Sequence, residues 1–191
     1  MSDDSAGDRS VTLLLAAAER GDAGADAQLY ALVYEDLRRC AHRQARGHRN
    51  LTLSTTALVN ETWLKLSHSQ SILPSSRLHF MAVAARAMRQ ILVDNARRVG
   101  AEKRGGAMEF VTLDERVPES GDDAIEILAL DKALRSLEQV DARASRVVHL
   151  HFFGGMSFVE IGELEGLNER TIKRDWQAAR LLLASEMRGG T

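Results

Sequence analysis

Proline is nearly absent from this chain. Pro74 and Pro118 are the only two in 191 residues. Proline breaks helix interiors, so long proline-free stretches leave helices free to run. Alternating apolar–polar strand patterns are also scarce, while Ala, Leu, Arg and Glu dominate. Together these predict an all-α fold. Cys40 is the one cysteine. That excludes an internal disulfide and suits a reducing compartment. No apolar run is long enough to cross a bilayer and no signal peptide is recognisable, so the expected location is cytoplasmic. Neither sign of charge dominates: 25 Lys and Arg stand against 27 Asp and Glu. A globally basic nucleic-acid coat is thereby excluded, and any affinity for DNA has to come from local patches. The motifs of common catalysis are missing too. There is no Walker loop, no H-E-x-x-H and no G-x-S-x-G. His149 and His151 stand two apart, so on a helix they point to different faces and make poor joint metal ligands. Neither an enzyme, a cofactor nor a metal site is expected.

What is present is concentrated in residues 157–183. Ser157 with Glu160 three residues on forms a capping box, which opens a helix. Gly166 supplies a left-handed C-cap, and Asn168 can cap a second helix. Gly162, four before the turn glycine, allows a close crossing, with Ile161, Leu167 and Ile172 as the apolar wedge. At about 100° per residue, Ile172, Trp176, Ala179 and Leu183 share one stripe of the second helix. Arg170, Lys173, Arg174, Gln177 and Arg180 share the opposite one, where Leu181 is a small misfit. This is a helix-turn-helix whose second helix carries a basic outer face. Arg and Gln there can reach purine edges, and the remaining cations can hold phosphates.

Upstream, residues 1–10 are polar and expected to lack regular structure. Helical spacing predicts a short helix over 11–20, then a longer one over about 25–45 with Leu29, Val33, Leu37 and Cys40 on one stripe. A third covers about 54–67. Its core face is Leu58, Val59, Thr62, Trp63 and Leu66, with Leu64 on the opposite side flanked by Ala57 and Asn60. Pro74 marks a loop. The longest helix spans about 78–103. Met81, Ala85, Met88, Leu92, Asn95 and Val99 form its mostly apolar stripe, with Arg86, Arg89 and Arg97 to one side. Arg98, Lys103 and Arg104 thicken its basic end. From Gly105 to Asp123 the helical period fails and acidic residues gather, which reads as an extended tether. Helices resume over 124–138 and 142–152. The predicted layout is thus two small helical domains, residues 1–104 and 124–191, joined by a flexible acidic linker over 105–123.

Four segments carry a family resemblance: T-A-L-V-N-E-T-W-L-K-L at 56–66, H-F-M-A-V-A-A-R-A-M-R-Q-I-L-V-D-N-A-R-R at 79–98, A-E-K-R-G-G at 101–106, and the stretch F-F-G-G-M-S-F-V-E-I-G-E-L-E-G-L-N-E-R-T-I-K-R-D-W-Q-A-A-R at 152–180. The chain resembles the extracytoplasmic-function sigma factors, bacterial transcription initiation factors, over about residues 11–183. The last segment is the most specific. The resemblance implies that the N-terminal domain binds the clamp of core RNA polymerase through Ala57, Asn60, Glu61 and Leu64. It implies that a −10-type promoter element is read by Arg86, Arg89, Asn95, Arg97 and Arg98. It gives a −35-type element to Arg170, Thr171, Lys173, Arg174, Gln177 and Arg180, with the C-terminal domain also touching the polymerase flap. The acidic tether would thread the polymerase's basic interior.

The chain departs from the family in one place. Typical members carry an acidic D-A-E-D cluster where the third helix begins, and here those positions read Ser54, Thr55, Thr56 and Ala57. Helix capping by Ser or Thr is one account. The other is a protein made inactive and switched on by a Ser/Thr kinase, with Thr56, aligned with the family's Glu, as first candidate and Thr55 and Ser54 behind it. An anti-sigma factor is a further expected kind of partner. The alternative reading of the whole chain is an autonomous repressor that binds operator DNA as a dimer through its helix-turn-helix. An adaptor without DNA affinity is the remaining one.

Overall fold

The computed structural model describes residues 3–45, 53–67, 76–105 and 120–189. All regular structure among them is helical. Helix α1 (Asp3–Glu19) packs on α2 (Ala25–Ala45), α2 on α3 (Thr55–Ser67), and α3 on α4 (Arg77–Gly105). Then follow α5 (Ser120–Val140), α6 (Ala142–Val148), a π-helical turn (His149–Phe153), α7 (Phe158–Glu165) and α8 (Glu169–Gly189). The expectation for residues 1–10 is corrected, because α1 begins at Asp3. The loop around Pro74 and residues 106–119 of the acidic stretch lie outside the described residues, as do the side chains of Lys103 and Arg104.

The first core forms where the apolar stripes of α2, α3 and α4 meet. Val33, Leu37, Cys40, Leu58, Val59, Thr62, Ala85 and Met88 are all sealed from solvent. Thr62 is tolerated there because its hydroxyl donates to the Leu58 carbonyl one turn back, at 2.7 Å. Trp63 closes the outer edge, its ring 4.9 Å from Tyr30 and 6.5 Å from Phe80. A second core joins α5, α6 and α8 through Leu134, Leu137, Ala144, Val148, Phe153 and Ala179. Asp141 starts α6 by accepting the Ala144 amide at 2.9 Å.

These two bodies of helix do not stand apart. Val147, Leu150, Met156, Ile161 and Ile172 belong to the same buried cluster as Leu37, Ala85 and Met88. Val93 and Ala96 of α4 pack with Ala124 and Ile127 of α5. A polar clasp reinforces the junction. The Cys40 thiol donates to the Phe153 carbonyl at 3.0 Å, and Arg43 donates to the Gly154 carbonyl at 2.9 Å. The single helix expected over 142–152 is corrected at this point. It widens into the π-helical turn, with the Gly154 amide bonding the His149 carbonyl five residues back at 3.0 Å. The wider turn lets the Phe153 ring enter the C-terminal core while its carbonyl faces α2. Gly155 then turns the chain at φ 68°, and a side chain there would collide with the Arg43 guanidinium.

Candidate nucleic-acid interface

Helices α7 and α8 are built by local chemistry. Ser157 accepts the Glu160 amide at 3.2 Å, and Glu160 accepts the Ser157 amide at 2.7 Å, which closes the capping box. Gly166 ends α7 in the left-handed region at φ 66°. Asn168 accepts the Thr171 amide at 2.9 Å and opens α8. Gly162 allows the tight turn between them, since a methyl group on it would stand 2.6 Å from the Leu167 carbonyl oxygen. Ile161 and Ile172 are fully buried in the angle between the helices, with Leu167 half-buried beside them.

The faces of α8 separate as the spacing predicts. Ile172 and Ala179 are buried, and Trp176 and Leu183 are half-buried. Arg170, Lys173, Arg174, Gln177 and Arg180 are exposed. Lys173 lies 2.7 Å from Glu169, and Arg180 lies over the Trp176 ring at 5.9 Å, so both are pre-positioned at the surface. Thr171 is half-buried, and its hydroxyl donates to the capping Asn168 at 3.0 Å. It therefore helps shape the helix start.

Helix α4 places its expected residues unevenly. Arg86 and Arg98 are exposed. Asn95 is buried and accepts from Arg98 at 2.7 Å. Arg89 turns toward α5 and meets Asp131 at 2.6 Å, whereas Arg97 is exposed, 3.4 Å from Asp94 on its own helix and 3.6 Å from Asp131. A cavity of ≈ 610 Å³ opens beside them, lined in part by Arg86, Arg89, Arg146 and His149. The His149 Nε2 is buried there without a hydrogen-bond partner. Burial, with the nearby Arg89 and Arg86 charges, pushes its pKa down to about 3, so the ring is neutral.

On α3, Leu64 is 56 % exposed, as an outward apolar spot requires. Ala57 is half-buried and Glu61 exposed beside it, while Asn60 accepts the Tyr30 hydroxyl at 2.8 Å. Ser54 caps the helix, its Oγ accepting the Ala57 amide at 3.2 Å. Thr55 is half-buried and Thr56 is exposed on the first turn.

The model of a family described as "ECF sigma factor" matches residues 8–189. The chain belongs to that family. As an ECF sigma factor it binds DNA and directs RNA polymerase in transcription initiation, and core polymerase and promoter DNA are its partners. No curated protein matches the chain significantly. No helix among the described residues of this sigma factor is long and apolar enough to cross a membrane. Sequence reasoning passed over three of its aspartates. Asp36 is buried between Arg39 and Arg77, Asp131 is held by Arg89 and Arg135, and Asp175 by Arg143. Asp175 sits between Arg174 and Trp176, one turn from the buried Ile172 and Ala179. That placement, a carboxylate on the inward side of α8, was the available signal.

Proposed function

We propose that this sigma factor reads a −35-type element with the exposed face of α8 and a −10-type element with α4, acting from the cytoplasm on core polymerase. Residues 1–104 and 124–191 are the two working parts, and the connection expected over 105–123 is shortened to 106–119, since α4 runs to Gly105 and α5 begins at Ser120. The observation that carries the reading is the outer face of α8: five polar side chains, four of them cationic, exposed on a helix fixed by caps at Ser157, Gly166 and Asn168. Arg174 and Gln177 are the base readers, with Arg170, Lys173 and Arg180 on phosphates. On α4 the −10-type set is Arg86, Arg89, Asn95, Arg97 and Arg98: Arg86, Arg97 and Arg98 are exposed, Asn95 orients Arg98, and Arg89 reaches DNA only when released from Asp131. Ala57, Asn60, Glu61 and Leu64 meet the polymerase clamp, and the C-terminal part meets the flap. The test is in vitro transcription with core polymerase across a promoter library. Arg174→Ala and Gln177→Ala are expected to shift promoter choice; unchanged choice and output would overturn the assignment.

We infer further that a Ser/Thr kinase controls clamp binding. The family's acidic cluster is replaced here by three hydroxyls, and these have different surroundings. Ser54 is occupied as the cap, whereas Thr56 is exposed on the first turn of α3. A phosphate on Thr56 would bring nearly two negative charges to a helix N-terminus and to a surface that otherwise offers carboxylates. One to a few charge-assisted bonds to the clamp would follow. Pull-down of core polymerase should be weak for unmodified protein and for Thr56→Ala, and restored by phosphorylation or partly by Thr56→Glu. Full binding by unmodified protein, untouched by alanine at all three positions, would leave only the capping account. Control by an anti-sigma factor would show instead as binding lost on adding that protein.

A further inference from the structure

The cavity of ≈ 610 Å³ beside α4 falls in the size range of small-molecule sites, about 300–1,000 Å³. Part of its wall is aliphatic: Ala82 and Val83 come from α4, Leu150 from the π-helical turn and Leu164 from α7. Its polar groups are unevenly paired. Arg89 is held by Asp131 at 2.6 Å, and Arg146 by Glu165 at 3.2 Å. Arg86 is exposed and forms no ion pair among the described residues, yet its charge acts on the His149 ring. His149 Nε2 is buried without a hydrogen-bond partner. A buried polar atom left unpaired is costly. An uncommitted guanidinium near it makes the space favourable for an anion that can meet both. Glu138, near the end of α5, also lines the cavity without an ion pair among the described residues. It repels a second negative charge.

We propose that this cavity is a binding site for a small monocarboxylate with an apolar body. The carboxylate accepts from the Arg86 guanidinium and from the His149 ring, which is neutral and donates through Nε2–H in one of its two tautomers. The body lies on Ala82, Val83, Leu150 and Leu164. The surroundings select this chemistry on three counts. With Arg89 and Arg146 committed to Asp131 and Glu165, one uncommitted cation matches one negative charge. A bare inorganic anion gains nothing from the aliphatic wall. A neutral apolar molecule of the same shape leaves Nε2 without a partner. The site belongs to the free chain, and it holds whether or not Arg86 also meets promoter DNA.

The probe is naphthoate, added to the free full-length protein and followed by calorimetry. Three companions isolate its parts. Naphthalenemethanol keeps the body without the charge, a naphthalene dicarboxylate adds a second charge, and inorganic phosphate has no apolar body. Naphthoate should bind at least about tenfold more tightly than any of them, the margin of one charge-assisted hydrogen bond. Arg86→Gln and His149→Leu should each weaken it by at least about tenfold. Arg86 is exposed, so its replacement leaves the core untouched. A second readout is the nitrogen resonances of the His149 ring, which should move as naphthoate saturates the protein. Binding elsewhere on the surface would leave them in place. Equal affinity for naphthoate and naphthalenemethanol would overturn the proposal. Undiminished affinity in Arg86→Gln, or His149 resonances that stay fixed at saturation, would do the same. So would wild-type protein that binds no naphthoate at millimolar concentration.

Discussion

Arg143 of α6 holds Asp175 of α8 in a two-pronged contact, Nε to Oδ2 at 2.7 Å and Nη2 to Oδ1 at 3.3 Å. The carboxylate is buried, while the guanidinium still meets solvent. The pair fixes the azimuth of α8, and so the direction in which its basic face points. It is also asymmetric. Arg143→Met leaves a buried carboxylate without its main partner, whereas Asp175→Asn leaves a guanidinium that water can solvate. We expect Arg143→Met to lower the urea midpoint more than Asp175→Asn does. The double variant should be more stable than Arg143→Met alone. Equal losses for the two single changes would mean that the pair adds nothing beyond its surface charge.

Gly162 and Gly166 are required for different reasons, and their variants should separate those reasons. At Gly162 a methyl group meets the Leu167 carbonyl oxygen at 2.6 Å, which is backbone and cannot swing away. Gly162→Ala should therefore cost about 1–3 kcal/mol through overpacking. At Gly166 nothing lies within 4 Å, and the only cost is the left-handed φ of 66°. Gly166→Ala should cost about 1 kcal/mol, and Gly166→Asn less, because Asn tolerates that region. Chemical denaturation of the three variants gives the ranking. If Asn at 166 were as costly as Ala, steric room rather than φ would be limiting.

These two glycines also mark how much of the molecule could be read in advance. Caps, turn and wedge lie within a few residues of one another, so spacing alone specifies their geometry. The buried stripes of α2, α3 and α4 were legible for the same reason. Periodicity says which face is buried but not what buries it. Cys40 meets Phe153 across 113 residues and Arg89 meets Asp131 across 42, and no local pattern encodes either pairing. The sequence therefore reads as two bodies on a tether, while the structure packs them on one shared core. The same blindness applies to Asp131 and Asp175, which look like ordinary surface charges on amphipathic helices. The π-helical turn carries no signature beyond the two glycines that follow it.

The cations of α8 should divide into two classes in solution. Arg170 and Arg180 flank the central pair, and substitution of either by Ala should weaken binding uniformly across promoter sequences. Each loss should reduce the salt slope of binding by about 1, as expected for a phosphate contact. Arg174→Ala or Gln177→Ala should instead cost about 1–3 kcal/mol at one or two promoter positions and leave the others alone. Binding of the holoenzyme to a set of single-base promoter variants, repeated over a range of salt, separates the classes. A uniform loss for Gln177→Ala would remove it from the base readers.

His149 should make this protein acid-sensitive. Its pKa is pushed from 6.5 to about 3 by burial first and by the Arg89 and Arg86 charges second. Arg146 and His79 share the cavity, and Glu138 and Glu165 also line it. In the folded state the ring stays neutral down to about pH 4, while in the unfolded chain it takes up a proton below its ordinary value. Below that ordinary value the unfolded state binds more protons, so stability falls as pH falls. Linkage puts the loss at about 2 kcal/mol between about pH 7 and about pH 5. His149→Leu removes the titrating group and fills the same space with an apolar side chain that needs no hydrogen-bond partner. Denaturation of both proteins at the two pH values isolates this contribution from the other titrating groups. The wild type should lose more stability than the variant by roughly that amount. Parallel pH profiles would show that the ring is solvated in the folded protein and that the cavity admits water to Nε2.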